Sequence, residues 1–457
     1  MNHTLVESIS GIRGIVGRGF DPDVIQRYTA AFARMLAEKA DGELVSVVVG
    51  RDGRASGPVC ADLVCSILRA SGIDVLDAGL ASTPTVETAV LDHGAAGGII
   101  LSASHNPAEW NALKLLNDRG EFLSPEVADR LINRARAGDA AWASWDALGS
   151  SRSIDALPAH IEHITSLPEI RPAAIASRDF RIVVDGINSV GGIAIPALLE
   201  AIGVRTEQIV RVNCEPDGRF AHPAEPLPAH LTETVEIVRR EGADLGIVVD
   251  PDADRLALIR DGGVYVSEEL TQVIAADFWW RHRSGPFVTN LSSSRAIEDV
   301  AERHGESVFR SAVGEINVVE EMKRRGAALG GEGNGGVIVP DLHYGRDALA
   351  GTAMILQHLV DTDASLSEII ETLPAYEIVK LKTDIGDSDP EAMLSRLADR
   401  YADERISLVD GVKIDLEEGW VHMRRSNTEP IIRVYAEAAT RRSATALGER
   451  FMAELTA

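Results

Sequence analysis

A strand that runs into a glycine-rich turn and then into a helix recurs along this chain, and that alternation limits the fold more than any other feature. Leu44 to Val49, apolar except for Ser46, ends at Gly50-Arg51-Asp52-Gly53-Arg54; a helix carrying Cys60, Leu63 and Ile67 follows, then a strand from Ile73 to Leu76. Before them, Asp21-Pro22 starts a helix, with Asp as cap and Pro at the first position, and Val24, Tyr28, Ala31 and Met35 keep one face. Phe180 to Gly186 followed by a helix over Ile193 to Ile202, and Phe287 to Asn290 followed by a helix from Arg295 to His304, repeat the pattern. Alternating strands and helices predict an α/β protein with mixed sheets covered by helices, here as three related units. After Leu373-Pro374 the pattern changes. A strand near Ile378 to Thr383, a helix from Pro390 to Ala402, two or three short strands and a final helix from Ser443 predict a smaller α+β domain.

A chain of 457 residues accommodates about three or four domains. The polar turn Gly149 to Ser153, the segment Asp250 to Asp254 and the break at Leu373-Pro374 divide it into 1–153, 154–255, 256–372 and 373–457. The net charge of -25 argues against a nucleic acid or an acidic membrane surface as partner, while leaving room for a small phosphorylated ligand in a local basic cleft. Cys60, Cys65 and Cys214 form neither a disulfide framework nor a cysteine zinc site. The N-terminus lacks the basic start and apolar core of a signal peptide, and no apolar run approaches the ~20 residues that span a bilayer. A cytoplasmic protein is expected.

Four stretches carry chemistry, and a fifth supports them. Ser102-Ala103-Ser104-His105-Asn106-Pro107 follows the apolar run Gly97 to Leu101, with Asn111 and Lys114 behind it. A hydroxyl at the exposed end of a buried strand can carry a phosphoryl group, although Ser104 as a helix cap is the commoner use of a serine. Asp250-Pro251-Asp252-Ala253-Asp254-Arg255 follows the strand Leu245 to Val249. Three carboxylates at alternate positions can converge on one hard divalent cation, and oxygen-only ligands favour magnesium, manganese or calcium. An EF-hand is excluded because Arg255 stands where that loop needs glycine. Gly330 to Gly336 formally satisfies a dinucleotide fingerprint, but the strand-like Val337-Ile338-Val339 follows where a helix is required, so that reading is rejected; the glycines leave Glu332 and Asn334 unobstructed, suited to gripping paired sugar hydroxyls, with a flexible turn as the equal alternative. Arg424-Arg425-Ser426-Asn427-Thr428-Glu429-Pro430, with Arg433, concentrates the forks and hydroxyls a phosphate dianion needs. Arg13 lies in a turn punctuated by Gly11, Gly14 and Gly17, which lets backbone approach a ligand.

With these motifs in this order, the chain resembles the α-D-phosphohexomutase superfamily over its whole length. The resemblance implies four domains around a central cleft, the last one smaller. It implies that Ser104 is the phosphorylated residue and that Asp250, Asp252 and Asp254, with a phosphate oxygen on Ser104, hold one Mg2+. Arg255, Glu332 and Asn334 would contact the sugar, and Arg424, Ser426, Asn427 and Thr428 the phosphate that is not transferred. Arg13 would give electrostatic support and Lys114 would move the proton, with His105 as a second candidate. The implied reaction passes phosphoryl from Ser104 to a hexose phosphate and takes back the other phosphate of the resulting bisphosphate, so hexose 1,6-bisphosphate is an expected activator of a monomer or homodimer. Asn334-Gly335-Gly336 replaces the Ser-Gly-His of many bacterial relatives and resembles the archaeal-type branch, which points to phosphoglucosamine mutase or phosphomannomutase/phosphoglucomutase. Glu315 stands where a basic residue or His is usual, and Asn427 replaces the glycine of the common phosphate loop. A sugar-phosphate phosphatase or a non-catalytic sugar-bisphosphate regulator is the alternative on the same fold.

Overall fold

The computed structural model describes residues 4–40, 44–384, 386, 388–425 and 431–456. Two compact units result, Met1–Thr271 with Gly335–Ser367, and Gln272–Asn334 with Glu368–Ala457.

The first unit contains two sheets. The N-terminal sheet runs in the order Val6–Ser8, Gly11–Ile15, Trp110–Leu116, Gly97–Leu101, Ser46–Arg51, Asp74–Leu80, Ser151–Ser153. Its last four strands are parallel and the rest antiparallel. The unbroken apolar runs follow from burial on both faces: Val47, Val49, Ile99 and Leu101 pack against helices Pro22–Ala40, Gly57–Ala70 and Pro125–Ala137, while Val48 and Ile100 face helix Thr83–Asp92. The stripe of the second helix is Cys60, Val64 and Leu68, with Leu63 and Ile67 only partly buried beside it.

Two expected turns are strands. Gly11–Ile15 pairs with Trp110–Leu116, and Gly11 is required there: its φ is +116°, and a Cβ would stand 2.6 Å from the Leu113 carbonyl oxygen. Ser151–Ser153, part of the expected polar turn, is a parallel edge strand against Asp74–Leu80. Its side chains are exposed, so polar residues suit it and the hydrophobic pattern that marks inner strands is missing.

The second sheet runs Val264–Val266, Leu256–Arg260, Leu245–Val249, Ile182–Asp185, Ile209–Val212. Leu256–Arg260 pairs along its whole length with Leu245–Val249, so this sheet extends past Arg255 to Val266. Helix Ala348–Thr362, whose N-cap Asp347 accepts from Leu349 and Ala350, packs on helices of this unit.

In the second unit, Val308–Ser311, Phe287–Asn290 and Leu329–Glu332 lie parallel in that order, and helix Glu315–Arg325 covers them. The C-terminal sheet is antiparallel throughout, in the order Glu377–Asp384, Ile431–Ala438, Gly419–Arg425, Val412–Asp415, Arg405–Ser407. Helices Pro390–Arg400 and Arg441–Thr456 pack on one face of it.

One buried cation strains that last domain. Lys413 is 2% exposed, pairs with Asp415 and lies near Arg310. Burial, reinforced by Arg310, pushes its ammonium down to about 8 against the opposing pull of Asp415. A depressed lysine binds its proton in the unfolded chain but not in the folded one between about 8 and the usual ~10.4, so stability rises with pH across that window. Lys413→Met is therefore expected to raise the melting temperature at neutral pH, with its advantage over the parent shrinking between pH 8 and 10. The full effect is on the order of 1–3 kcal/mol, and thermal melts over a pH series measure it.

Candidate active site

Ser104 sits in the loop between strands Gly97–Leu101 and Trp110–Leu116, so it caps no helix. Its backbone is left-handed at φ +45°, a conformation a non-glycine residue holds only where its surroundings impose it. Its N–H donates to Ser102 Oγ at 2.9 Å, and its own hydroxyl donates to Asp250 Oδ2 at 2.7 Å.

The imposing group is Arg54, which sequence reasoning placed only in a turn. Its side chain is fully buried and its guanidinium spends all five N–H donors. Nε donates to Asp52 Oδ2 at 2.9 Å, Nη1 to the carbonyls of Pro107 at 2.6 Å and Trp110 at 2.9 Å, and Nη2 to those of Ser104 at 2.6 Å and Asn106 at 2.8 Å. A planar fork is the one side chain able to gather four carbonyls and a carboxylate at once. Burial pushes Asp52 up, against the pull of Arg54 and Ser102. The available signal was a pair of opposite charges at the end of an apolar strand.

Asp250, Asp252 and Asp254 are each fully buried, and one oxygen from each lies within 4.8 Å of the others. Asp250 Oδ1 accepts the N–H groups of Asp254 and Arg255 at 3.2 Å each, and Ala253 takes a left-handed φ of +52°, which folds the loop back on itself. Asp252 Oδ2 receives Thr83 Oγ1 at 2.6 Å and Lys114 Nζ at 2.5 Å; Lys114 also stands 3.7 Å from Asp254, whose Oδ2 takes Arg346 Nη2 at 2.7 Å. Burial and then the neighbouring Asp254 and Asp252 push Asp250 far up, whereas on Asp252 the Lys114 ion pair overcomes burial and holds it well down. Oδ1 of Asp252 and Oδ1 of Asp254 accept no hydrogen bond although buried. Three buried carboxylates with two free oxygens form a hard, oxygen-only donor set, which suits a divalent cation.

Around this set lie further cations. Arg13 is half-buried and pushed down by burial and by Arg255, and the Nε–H groups of both arginines donate to no hydrogen-bond acceptor in the protein. Two guanidiniums that repel each other in a buried site are poised for an anion. His105 is driven down to about 3 by burial, then by Arg255, Arg13 and Arg346, so its ring is neutral at physiological pH. Lys114 is pushed up: burial lowers it, but Asp252 and Asp254 outweigh that, so it keeps its proton.

The second unit holds the remaining expected residues. Glu332, buried at the end of Leu329–Glu332, accepts from Asn290 Nδ2 at 2.9 Å and from the Gly314 N–H at 3.3 Å, and its other oxygen meets Asn334 Nδ2 at 3.4 Å. Asn290, at the end of the neighbouring strand, joins the pair of residues expected from the glycine-rich turn. Glu315 opens helix Glu315–Arg325. Ser426, Asn427 and Thr428 lie outside the described residues. Arg424 and Arg433 are directly opposite each other on adjacent strands, and Lys382 is opposite Arg433 on the other side. Three cations therefore form one row across a sheet face, which repels itself unless an anion lies over it. Lys382 was not singled out because it is distant in sequence from the loop.

Models of four successive domains match this chain: phosphoglucomutase/phosphomannomutase alpha/beta/alpha domains I, II and III over residues 7–142, 158–263 and 268–376, and the C-terminal domain over 380–454. A phosphoglucomutase/phosphomannomutase of Thermococcus kodakarensis is 36% identical, covering 95% of this chain and 94% of its own. A probable phosphoglucosamine mutase of Methanopyrus kandleri is 34% identical, covering 97% and 96%. The crystal structure of a phosphoglucomutase/phosphomannomutase family protein from Burkholderia thailandensis has the same fold, with a TM-score of 0.84 at 24% identity over 99% and 98% of the two chains. The chain therefore belongs to the phosphoglucomutase/phosphomannomutase family, in the archaeal branch of the α-D-phosphohexomutase superfamily.

Proposed function

We propose that this protein moves a phosphoryl group between the 6- and 1-positions of a hexose phosphate through phospho-Ser104 and a bound bisphosphate. The single observation that carries the reading is the Ser104 hydroxyl, 2.7 Å from Asp250 within a buried group of three carboxylates. Asp250, Asp252 and Asp254 would hold a divalent cation, Mg2+ by their hard oxygen chemistry. When bound, such an ion neutralises the charge that builds on a phosphoryl group in transfer.

The chain's own residues do the rest. Phosphoryl passes from Ser104 Oγ to a sugar hydroxyl: the bond from phosphorus to Oγ breaks, one to the sugar oxygen forms, Oγ leaves as a hydroxyl by taking the proton of a cationic group such as Lys114, and the proton of the attacking sugar hydroxyl replaces it. In the second half-reaction Oγ takes back the other phosphate, and the sugar oxygen it leaves is reprotonated. Lys114 is the proton-bearing group nearest the aspartates, since His105 is neutral. Arg13 and Arg255 balance anionic oxygens, Glu332 and Asn334 grip sugar hydroxyls, and Arg424 and Arg433, with Ser426, Asn427 and Thr428, take the phosphate that stays. Glucosamine 6-phosphate is the first substrate proposed; mannose and glucose phosphates are the second, because the relative at 36% identity carries that name.

A coupled assay with magnesium and a trace of hexose 1,6-bisphosphate, run in parallel on glucosamine 6-phosphate, mannose 1-phosphate and glucose 1-phosphate, tests this. Turnover of one of them, lost to background in Ser104→Ala and on metal chelation and restored by Mg2+, is expected. Release of inorganic phosphate without isomerisation would overturn the reading in favour of a phosphatase.

Arg54→Lys should lower kcat by about 10²-fold with KM little changed, because a single ammonium cannot hold four carbonyls and Ser104 drifts from the transferring phosphoryl. Steady-state kinetics beside a melting curve separate this from simple unfolding. Arg433→Gln should raise KM for the sugar phosphate by about 10–100-fold, the worth of a charged hydrogen bond, while leaving the ligand-free protein as stable as before or slightly more so, since a self-repelling row loses a member.

A further inference from the structure

Among the described residues, a second group of metal-ligating side chains lies apart from the aspartates. Helix Thr83–Asp92 carries Thr85 and Glu87, helix Leu157–Thr165 carries His160, and His343 and Asp347 lead into helix Ala348–Thr362. His160, His343, Asp347 and Glu87 are all buried. His160 Nε2 stands 2.9 Å from Asp347 Oδ2, and His343 Nε2 stands 3.3 Å from the same oxygen, with the rings edge-on at 79°. Ligand atoms around a tetrahedral ion with bonds of ~2.0 Å are about 3.3 Å apart, so these separations need to open by only a few tenths of an ångström.

The far side of each group is held as well. Asp347 Oδ1 accepts the N–H groups of Leu349 at 2.8 Å and Ala350 at 3.1 Å. His343 Nδ1 lies 3.0 Å from Glu87 Oε2, and His160 Nδ1 lies 3.0 Å from Thr85 Oγ1. Metal-bound histidines characteristically give their other ring N–H to a carboxylate or other acceptor, which fixes the ring and leaves the opposite lone pair for the ion. Asp347 and Glu87 bring two buried carboxylates to the group, and one divalent ion would cancel their charge.

We infer that His160, His343 and Asp347 form a second metal site, separate from the three aspartates and suited to a borderline divalent ion of the zinc class. Two imidazole nitrogens and one carboxylate oxygen select against magnesium and for zinc or cobalt. The site ties together helices that belong to the two sheets of the first unit. It also fixes the residue after Arg346, whose guanidinium holds Asp254, so its occupancy would steady the aspartate loop.

Full-length protein, stripped with chelator and then kept in excess Mg2+, is titrated with Zn2+ and with Co2+. One ion per chain is expected, with X-ray absorption of the zinc form showing two imidazoles and the cobalt form showing the visible absorption of a nitrogen-ligated ion. Binding persists in Asp252→Asn, is lost in His160→Gln and weakens by about 10–100-fold in Glu87→Gln. No binding to the Mg2+-saturated parent, or an oxygen-only shell, would overturn the site in favour of a proton-bridged network. Loss of binding in Asp252→Asn with retention in His160→Gln would equally do so. The stoichiometry and absorption spectra use the parent protein, so a variant that fails to fold leaves the test intact.

Discussion

Three carboxylates buried together at the end of one strand are the constraint from which the first unit is built. Left alone, Asp250, Asp252 and Asp254 would repel one another in a medium that screens charge poorly, and the strong upward push on Asp250 comes from burial first and from that repulsion second. The N-terminal sheet supplies the compensation: Lys114 from its strand Trp110–Leu116, Thr83 from the start of a helix, and the hydroxyl of Ser104. Arg346 adds a second cation from just before helix Ala348–Thr362. These groups satisfy the triad only in part, since one oxygen each of Asp252 and Asp254 still accepts no hydrogen bond. An incompletely compensated acidic cage next to a hydroxyl could hold a cation beside the phosphoryl group of the proposed mechanism.

The same bonds fasten the loops of two sheets to each other. Gly53 N–H donates to Ser189 Oγ at 2.8 Å, Ser189 in turn donates to the Pro251 carbonyl, and Thr83 N–H donates to the Asp252 carbonyl at 2.9 Å. The Ser104 loop, the Asp52–Arg54 turn and the aspartate loop thus form one hydrogen-bonded body at the carboxyl ends of parallel strands, where open α/β sheets place their ligands. Disturbing any one loop moves the other two.

Much of this was legible in the order of residues, and what was not has physical reasons. The inner strands could be read because burial on both faces demands unbroken apolar runs, as in Gly97–Leu101 and Leu245–Val249. Ser151–Ser153 could not, because an exposed edge strand needs no apolar side chain. Ser104 and the aspartates stand out as short motifs, since their chemistry is local. Arg54, Arg346, Asn290 and Lys382 do not, because each matters through a partner about 40 to 90 residues or more away. For Lys382 the distance closes only when the register Lys382–Arg433–Arg424 is known. A charge in a sequence has no sign of what it faces until the pairing of strands is fixed.

The left-handed turn at Ser104 connects stability to chemistry. A serine at φ +45° stores strain that the isolated loop would release by rotating the hydroxyl away from Asp250. Arg54 prevents that by binding the carbonyls on both sides of the turn, and its own burial beside Asp52 is tolerable only because every donor is used. The loop therefore cannot relax without leaving a guanidinium unsatisfied in the interior, which costs more than the strain. Held in this way, Ser104 would, on the proposed mechanism, meet an incoming phosphoryl group in the geometry in which it must later give it up. A residue that both donates and accepts the same group needs that constancy in both half-reactions.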